Sequence, residues 1–233
     1  MFLKDYYPNL NVKYSKVKFK GISFNSIIAK KDYIFFAIKG NKIDGNKFIN
    51  KAIAKGSKIV IAQNCKEGVI DDVLYLKHKN PRKLLAEFSV KIFNKKPKNL
   101  IAVTGTNGKS SIVGFYYQIL KLNKKKVASI GTLGVEGMQF KKKILNTTAD
   151  PVLLNALLQN LSKKRINNVI LEASSHGLKQ HRLDGLKFNV GIFTNLSRDH
   201  LDYHKNYNEY LKSKLILFKK LMKKNSKIIL DND

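Results

Sequence analysis

The sequence predicts an α/β protein in two parts. A small N-terminal α/β region covers residues 1–94, and a mostly parallel sheet with a phosphate loop covers residues 95–233. Three observations predict it. From residue 99 onward, short and nearly continuous apolar strands alternate with helical patterns, as in parallel sheets covered on both faces. Lysines and Pro97 cluster in "NKKPKNL" (94–100), which reads as a linker. Finally, "GTNGKSS" (105–111) stands where a strand stops and a helix starts, the place where such sheets bind ligands.

In the first part, "YIFFAIKG" (33–40), "SKIVIAQ" (57–63) and "VLYLK" (73–77) read as strands, rich in β-branched and aromatic residues. They surround a helix, "GNKFINKAIAKG" (45–56), that closes on Gly56, and "PRKLLAEFSVKIF" (81–93) leads into the linker. The second part opens with strand "NLIAVTG" (99–105) and a helix over 109–122. Strand "KVASIGT" (126–132) and helix "PVLLNALLQNLSKK" (151–164) come next. Strands "NNVILEAS" (167–174) and "FNVGIFTNL" (188–196) follow, then a helix over about 207–222 and a strand "SKIIL" (226–230).

The phosphate loop has a physical basis. Free backbone N–H groups and the helix dipole at its start favour an anion. Gly105 and Gly108 allow a tight turn and close approach to oxygens, Lys109 reaches terminal phosphates, and Ser110 offers a hydroxyl to Mg²⁺. The spacing is G-x-x-G-K-S, because Val103 occupies the usual position of the first glycine. "LEASSHGLKQHR" (171–182) begins inside an apolar strand, so Glu172 falls near a strand's carboxyl end, where a carboxylate is a natural second metal ligand. "FTNLSRDHLDYH" (193–204) also follows a strand and packs Asn195, Arg198, Asp199, His200 and His204 closely. In the next helix, Tyr207, Tyr210, Leu211, Leu217, Phe218 and Leu221 form an apolar stripe with Lys214 at its centre. A lysine there is partly desolvated, with a lowered pKa and more neutral amine, able to act as a nucleophile or to form a carbamate with CO₂. A snorkelling lysine is the plainer reading of the same pattern.

Together, "GTNGKSS", "NTTAD", "LEASSHGLKQHR", "FTNLSRDHLDYH" and "YLKSKLILF" stand in the order found in the Mur ligases of bacterial cell-wall synthesis, which the whole chain resembles. The likeness is greatest to the branch that adds the third amino acid to UDP-N-acetylmuramoyl-L-alanyl-D-glutamate. It implies an N-terminal uridine-binding domain and a central ATP-binding domain. Gly105, Thr106, Asn107, Gly108, Lys109, Ser110 and Ser111 would hold ATP. Asn146, Thr147, Thr148, Ser174, Gln180 and Arg182 would hold the UDP-muramoyl dipeptide, which would lie between the two regions. Phe24, Ser26, Asn41, Lys42 and Ile43 would line its uridine end. Ser110, Glu172, His200 and a carbamylated Lys214 would serve Mg²⁺, with Lys109, Lys214 and His200 taking catalytic parts. The incoming diamino acid would be meso-diaminopimelate or L-lysine. The resemblance also implies a truncated chain, because the family's central domain continues and a further domain follows. Asn25-Ser26-Ile27 departs from the family's Asp-Ser-Arg.

Composition narrows the partners. The formal charge of +29 is almost all scattered lysine, without the clustered arginines and interleaved aromatics of a nucleic-acid surface. A compositional bias explains it, and no nucleic-acid partner is expected. No run is long enough to span a bilayer, the N-terminus lacks a signal-peptide core, and Cys65 is the sole cysteine, so a cytoplasmic monomer is expected. Folylpolyglutamate synthetase shares the phosphate loop and a modified lysine, but the uridine-like segments and "LEASSHGLKQHR" argue against it. A non-catalytic nucleotide-binding fragment is the remaining alternative.

Overall fold

The computed structural model describes residues 1–40, 43–137 and 144–231. It forms two compact units, Met1–Ile92 and Phe93–Asp233. Among the described residues no helix is long and apolar enough to cross a membrane.

The first unit holds strands β1 (Gly21–Ser23), β2 (Tyr33–Ala37), β3 (Ile59–Ala62), β4 (Gly68–Ile70) and β5 (Val73–Lys77), with helices α1 (Ile49–Ala54) and α2 (Pro81–Ile92). The strand order is β1-β2-β3-β5-β4, all parallel except β4 against β5. Ile34, Phe35 and Phe36 of β2 are fully buried, and so are Leu84, Ala86 and Phe88 of α2. The Phe36 and Phe88 rings meet edge-on at 5.4 Å. Pro81 begins α2, where its missing N–H is no loss. The β4–β5 hairpin turns through Asp71 and Asp72, both at positive φ, the twist a two-residue hairpin needs. Strands β1 and β4, each three residues long, escape the sequence reading, and β2 and β3 are shorter than read.

In the second unit the elements are β6 (Asn99–Thr104), α3 (Lys109–Leu122), β7 (Val127–Gly131), β8 (Gly134–Glu136), α4 (Pro151–Lys163), β9 (Asn168–Glu172), α5 (Ser175–Lys179), β10 (Phe188–Phe193), α6 (Tyr207–Lys220) and β11 (Met222–Leu230). The order is β11-β10-β6-β9-β7-β8, parallel throughout except β8 on β7. Registers Thr104↔Phe193, Val103↔Glu172 and Leu171↔Ile130 bring the carboxyl ends of β10, β6, β9 and β7 to one rim. Side-chain caps fix the helix starts: Asp150 accepts from Leu153 N, Ser174 from Gly177 N, and Asn206 from Glu209 N.

Three readings need correction here. Helix α6 stops at Lys220, and β11 starts at Met222 rather than Ser226, with a register shift between Phe188 and Val190 of its partner strand. The buried face of α6 is Tyr210, Ser213, Lys214 and Leu217, while Tyr207 at its start is exposed. The segment after Glu172 is a short helix, α5, and not only a polar strand end.

Candidate active site

The loop between β6 and α3 is strapped to the segment after β10. Thr194 Oγ1 donates to Asn107 O at 2.6 Å, Asn107 N donates to Asn195 Oδ1 at 2.9 Å, and Thr106 N donates to Asn195 O at 3.0 Å. Gly105 has φ +147°, and a Cβ there would collide with Thr194 Oγ1, so a side chain is excluded twice over. Gly108, at φ +78°, stands just before the first residue of α3. The loop therefore keeps its shape through contacts made by the end of the neighbouring strand β10.

Two amines converge on it. Lys109 Nζ donates to Gly105 O at 3.0 Å and Thr106 O at 2.7 Å, and Lys214 Nζ donates to Gly105 O at 2.6 Å. Burial pulls the Lys109 pKa down against the pull of Glu172 and Asp199. Lys214, 1% exposed, is lowered to about 7 by burial and by the Lys109 charge, opposed by Asp199. Its Nζ also sits 4.2 Å from the centre of the Tyr210 ring, whose hydroxyl lies 3.2 Å from Thr106 Oγ1. The lysine at the centre of the helical stripe is thus shifted toward the free amine near neutral pH.

Facing the amines is Glu172, the last residue of β9 and 2% exposed. Its Oε1 accepts from Ser110 Oγ at 3.0 Å and from Thr132 N at 2.8 Å, and its Oε2 accepts from Thr132 Oγ1 at 3.1 Å. Gly131 leaves the space this carboxylate occupies, since a Cβ there would collide with Oε1. Next to it, Thr148 Oγ1 donates to Glu172 O at 2.9 Å, Arg182 Nη1 donates to Thr148 O at 2.6 Å, and Arg182 Nη2 donates to Gln180 Oε1 at 2.8 Å. Gln180 Nε2 donates in turn to Tyr203 OH at 3.1 Å.

A cavity of about 140 Å³ joins these groups, lined by Gly105, Lys109, Ser110, Thr132, Thr147, Glu172, Ser174, Ser175, His200, Tyr210 and Lys214. Residues from six separate stretches of sequence meet there. Ser111 is an exposed residue of α3 outside that lining, and Asn146 is exposed beside Thr147. His200, in the left-handed region at φ 53°, has Nε2 3.5 Å from Asp199 Oδ2. Ser110 and Glu172 present hard oxygen donors, the kind that suits Mg²⁺. Among the described residues no group of three or more His, Cys, Asp or Glu side chains is placed to hold a metal ion by itself, so a cation held here completes its shell with water or ligand oxygens.

Thr132, Ser175 and Tyr210 line the cavity without having been read as site residues. Thr132 was findable, because it follows a strand that ends on the same rim as Gly105. His204 is buried, with Nε2 3.0 Å from Ser175 Oγ and Nδ1 3.5 Å from Ser213 Oγ. Burial, then the charges of Lys179 and His176, lowers its pKa to about 4.

The first unit carries its own cavity, about 290 Å³, past the carboxyl ends of β2, β3 and β5 and lined by Lys39, Asp44, Asn46, Gln63, Asn64, Lys79, Asn80 and Arg82 among others. Phe24 and Ser26 follow β1 on the same rim, Ser26 buried and Phe24 half-buried, and Ile43 is 60% exposed. Asn41 and Lys42 lie outside the described residues.

Comparison with known proteins follows the same division. The sequence profile of the Mur ligase family catalytic domain matches residues 18–91, and that of the Mur ligase middle domain matches residues 103–233. UDP-N-acetylmuramoyl-L-alanyl-D-glutamate--2,6-diaminopimelate ligase of Rickettsia montanensis is 45% identical over 229 residues, covering 97% of this chain and 47% of the relative. The ligase of the same name from Bradyrhizobium diazoefficiens is 38% identical, over 87% of this chain and 41% of the relative. The chain thus spans about half the length of the curated relatives it matches. A solved structure of such a diaminopimelate ligase superposes with a TM-score of 0.81 at 26% identity, over 99% of this chain and 52% of that one. The Thermotoga maritima MurF ligase, solved with ADP, shares the fold alone (TM-score 0.62, 20% identity, 92% of this chain and 46% of that one). A middle-domain match over more than half its length, laid on the loop, carboxylate and buried lysine of one cavity, shows that this chain belongs to the Mur ligase family.

Proposed function

We propose that this chain provides the substrate-activating part of an ATP-dependent ligase that extends UDP-N-acetylmuramoyl-L-alanyl-D-glutamate by a third amino acid in peptidoglycan precursor synthesis. The supporting observation is the single cavity that gathers the loop, Glu172, His200 and Lys214 with Thr147 and Ser174. The names of the curated relatives favour 2,6-diaminopimelate as the incoming amino acid.

ATP would lie along Gly105–Ser111, its terminal phosphates met by the N–H groups at the start of α3 and by Lys109. The D-glutamate carboxylate would attack the γ-phosphorus, releasing ADP and forming an acyl phosphate. The amino group of the diamino acid would then attack the acyl carbon, and a tetrahedral intermediate would collapse to amide and phosphate. The chain's own contribution is to collect negative oxygens beside Lys109 and to hold the two anionic reactants in register. Mg²⁺ would be held by Ser110 Oγ, Glu172 and His200, and by Lys214 once carbamylated; when bound, it supplies charge neutralisation of the phosphate oxygens. The buried Lys214 amine suits carbamylation, since the modification replaces a desolvated cation by an anion facing that metal. Thr148, Gln180 and Arg182 would orient the dipeptide, and the first unit would take the uridine nucleotide at its carboxyl rim.

Calorimetric titration of Mg·ATP and of the UDP-dipeptide into the parent, Lys109→Ala and Arg182→Ala tests this. Loss of ATP affinity in the first variant and of UDP-dipeptide affinity in the second is the expected result. Parent-like affinity for both ligands in both variants overturns the reading.

A further inference from the structure

The second unit carries a larger cavity than the one that gathers Glu172 and Lys214, and it lies at the opposite end of the sheet. It measures about 530 Å³, a volume suited to a small-molecule ligand. Its apolar lining is Val127, the first residue of β7, and Ile166, just before β9, both buried, with the half-buried Tyr117 of α3. Helix α3 starts at the phosphate loop with Lys109 and reaches this cavity with Lys121. About 18 Å of helix therefore separates the two places.

Two helix ends build the charged wall. Helix α3 closes with Lys124 N donating to Lys121 O and Lys125 N donating to Leu120 O, each at 2.9 Å. Helix α4 closes in the same way, Arg165 N donating to Ser162 O at 3.0 Å and Ile166 N to Leu161 O at 2.9 Å. Lys124 and Arg165 take the left-handed position of this motif, at φ 56° and 58°, where glycine is usual. The chain turns so that Lys121, Lys125, Lys126 and Lys164 all line the cavity. Half of its described lining residues are lysines, against 45 lysines and arginines in 233 residues overall. A charge scattered evenly by composition does not produce that density.

Lysines near helix ends commonly answer the helix dipole. Here the two helix ends together offset only about one of the four positive charges. No carboxylate is among the described lining residues, and among the described residues none of the four amines has a hydrogen bond or an ion pair. Lys121 Nζ instead sits 5.7 Å from the centre of the Tyr117 ring. Like charges around one hollow repel, and an anion that meets several of them at once relieves that repulsion.

We propose that this cavity binds a small anion carrying several phosphate groups, a di- or triphosphate by charge and size. Compact ammonium groups suit phosphate oxygens as point charges. The volume admits such a chain together with a flat or apolar group lying on Tyr117, Val127 and Ile166. The site is separate from the phosphate loop and does not rest on the reaction proposed above.

Inorganic triphosphate and ATP, each without Mg²⁺, are the probes, titrated into the 233-residue chain with amide NMR shifts read residue by residue. Saturable shifts at residues 117, 121, 125–127 and 164–166 are expected for both, weakening as salt is added. Lys126→Ala and Lys164→Ala should each weaken that binding about two- to fivefold, and the double variant about tenfold or more. Lys224→Ala, an exposed lysine of β11, should leave it unchanged. All three lysines are exposed, and circular dichroism checks that the variants keep the fold. Shifts confined to residues 105–111, shifts spread over lysines throughout the chain, or parent affinity in the double variant would overturn the proposal. Shifts at the loop and at this cavity are read separately, so failure here is distinguishable from failure of the functional reading.

Discussion

The two units solve the same architectural problem and put different chemistry on the solution. Each is a parallel sheet with one antiparallel hairpin strand at an edge, β4 in the first and β8 in the second. Each places a polar cavity past the carboxyl ends of its strands. In the first unit Lys39, Gln63, Asn64 and Lys79 are exposed, and Asp44, Asn46, Asn80 and Arg82 are half-buried. In the second, Glu172 and Lys214 are buried, and two amines share one carbonyl oxygen. Buried charges cost folding energy and strengthen electrostatics, whereas exposed polar groups recognise a ligand at little cost. Under the proposed function, that difference suits the first cavity to recognition and the second to reaction.

The largest expected effect falls on the buried carboxylate. Glu172→Ala removes the acceptor of Ser110 Oγ, Thr132 N and Thr132 Oγ1 together. It should raise the Kd for Mg·ATP roughly 100-fold, about 3 kcal/mol, as read by calorimetry. Hydrogen exchange in the first unit should stay as in the parent. An unchanged Kd would remove the main contrast between the cavities.

Next comes the loop backbone. Gly105→Ala puts a Cβ into Thr194 Oγ1 at a φ that L-residues avoid. The second unit should lose about 2–3 kcal/mol of stability, and the loop contacts to Asn195 should break. With no tryptophan in the chain, residue-resolved hydrogen exchange under denaturant is the suitable measurement. Equal destabilisation of both units would mean that they unfold as one.

The third effect is a pH dependence confined to the second unit. The folded pKa of His204 is lowered to about 4, below the ordinary 6.5, so the unfolded chain binds more protons between those values and stability falls as pH drops through that window. The loss should be on the order of 2 kcal/mol by pH 4. Lys214, lowered to about 7, has the same sign in a higher window, adding stability as pH rises from about 7 toward 10.5. His204→Gln should flatten the acidic limb; a limb of parent size in that variant would assign it elsewhere.

Much of this was legible in the sequence because strong periodicity and special residues coincide. The apolar strands gave the parallel sheet, the glycines placed the loop, and Lys214 stood out as one cation in an apolar stripe. What was missed has physical causes. Strands β1, β4 and β8 are three residues each, too short for a period of two to show. Helix α5 has five residues, less than two turns. The first part of β11, "MKKN", is polar, and with neither Gly nor Pro at the junction nothing marks where α6 ends. The pairing of His204 with Ser175 and Ser213 is a tertiary contact that no local pattern encodes. The lining of the first cavity was missed for a related reason: Gln63, Asn64, Lys79 and Asn80 come from separate strand ends and only the sheet brings them together.

The smallest effect sharpens the comparison most, because it tests the exposed side of it. Lys79 lies two residues beyond β5, exposed, at the lip of the first cavity. If that cavity takes the uridine nucleotide, the Lys79 ammonium meets a diphosphate through water-accessible space, where a single contact is worth about 0.5–1 kcal/mol. Lys79→Ala should therefore weaken the UDP-dipeptide about two- to fivefold, and the difference should shrink with added salt, since screening acts within about 10 Å at 0.1 M. Mg·ATP affinity should not move, because among the described residues the lining of the Lys109 and Glu172 cavity comes from the second unit. Titrations of both ligands at low and high salt measure all three quantities. A tenfold or larger loss that persists in salt would make Lys79 a desolvated contact and erase the contrast between a recognising and a reacting cavity. A parallel loss of ATP affinity would show that the two cavities do not act separately.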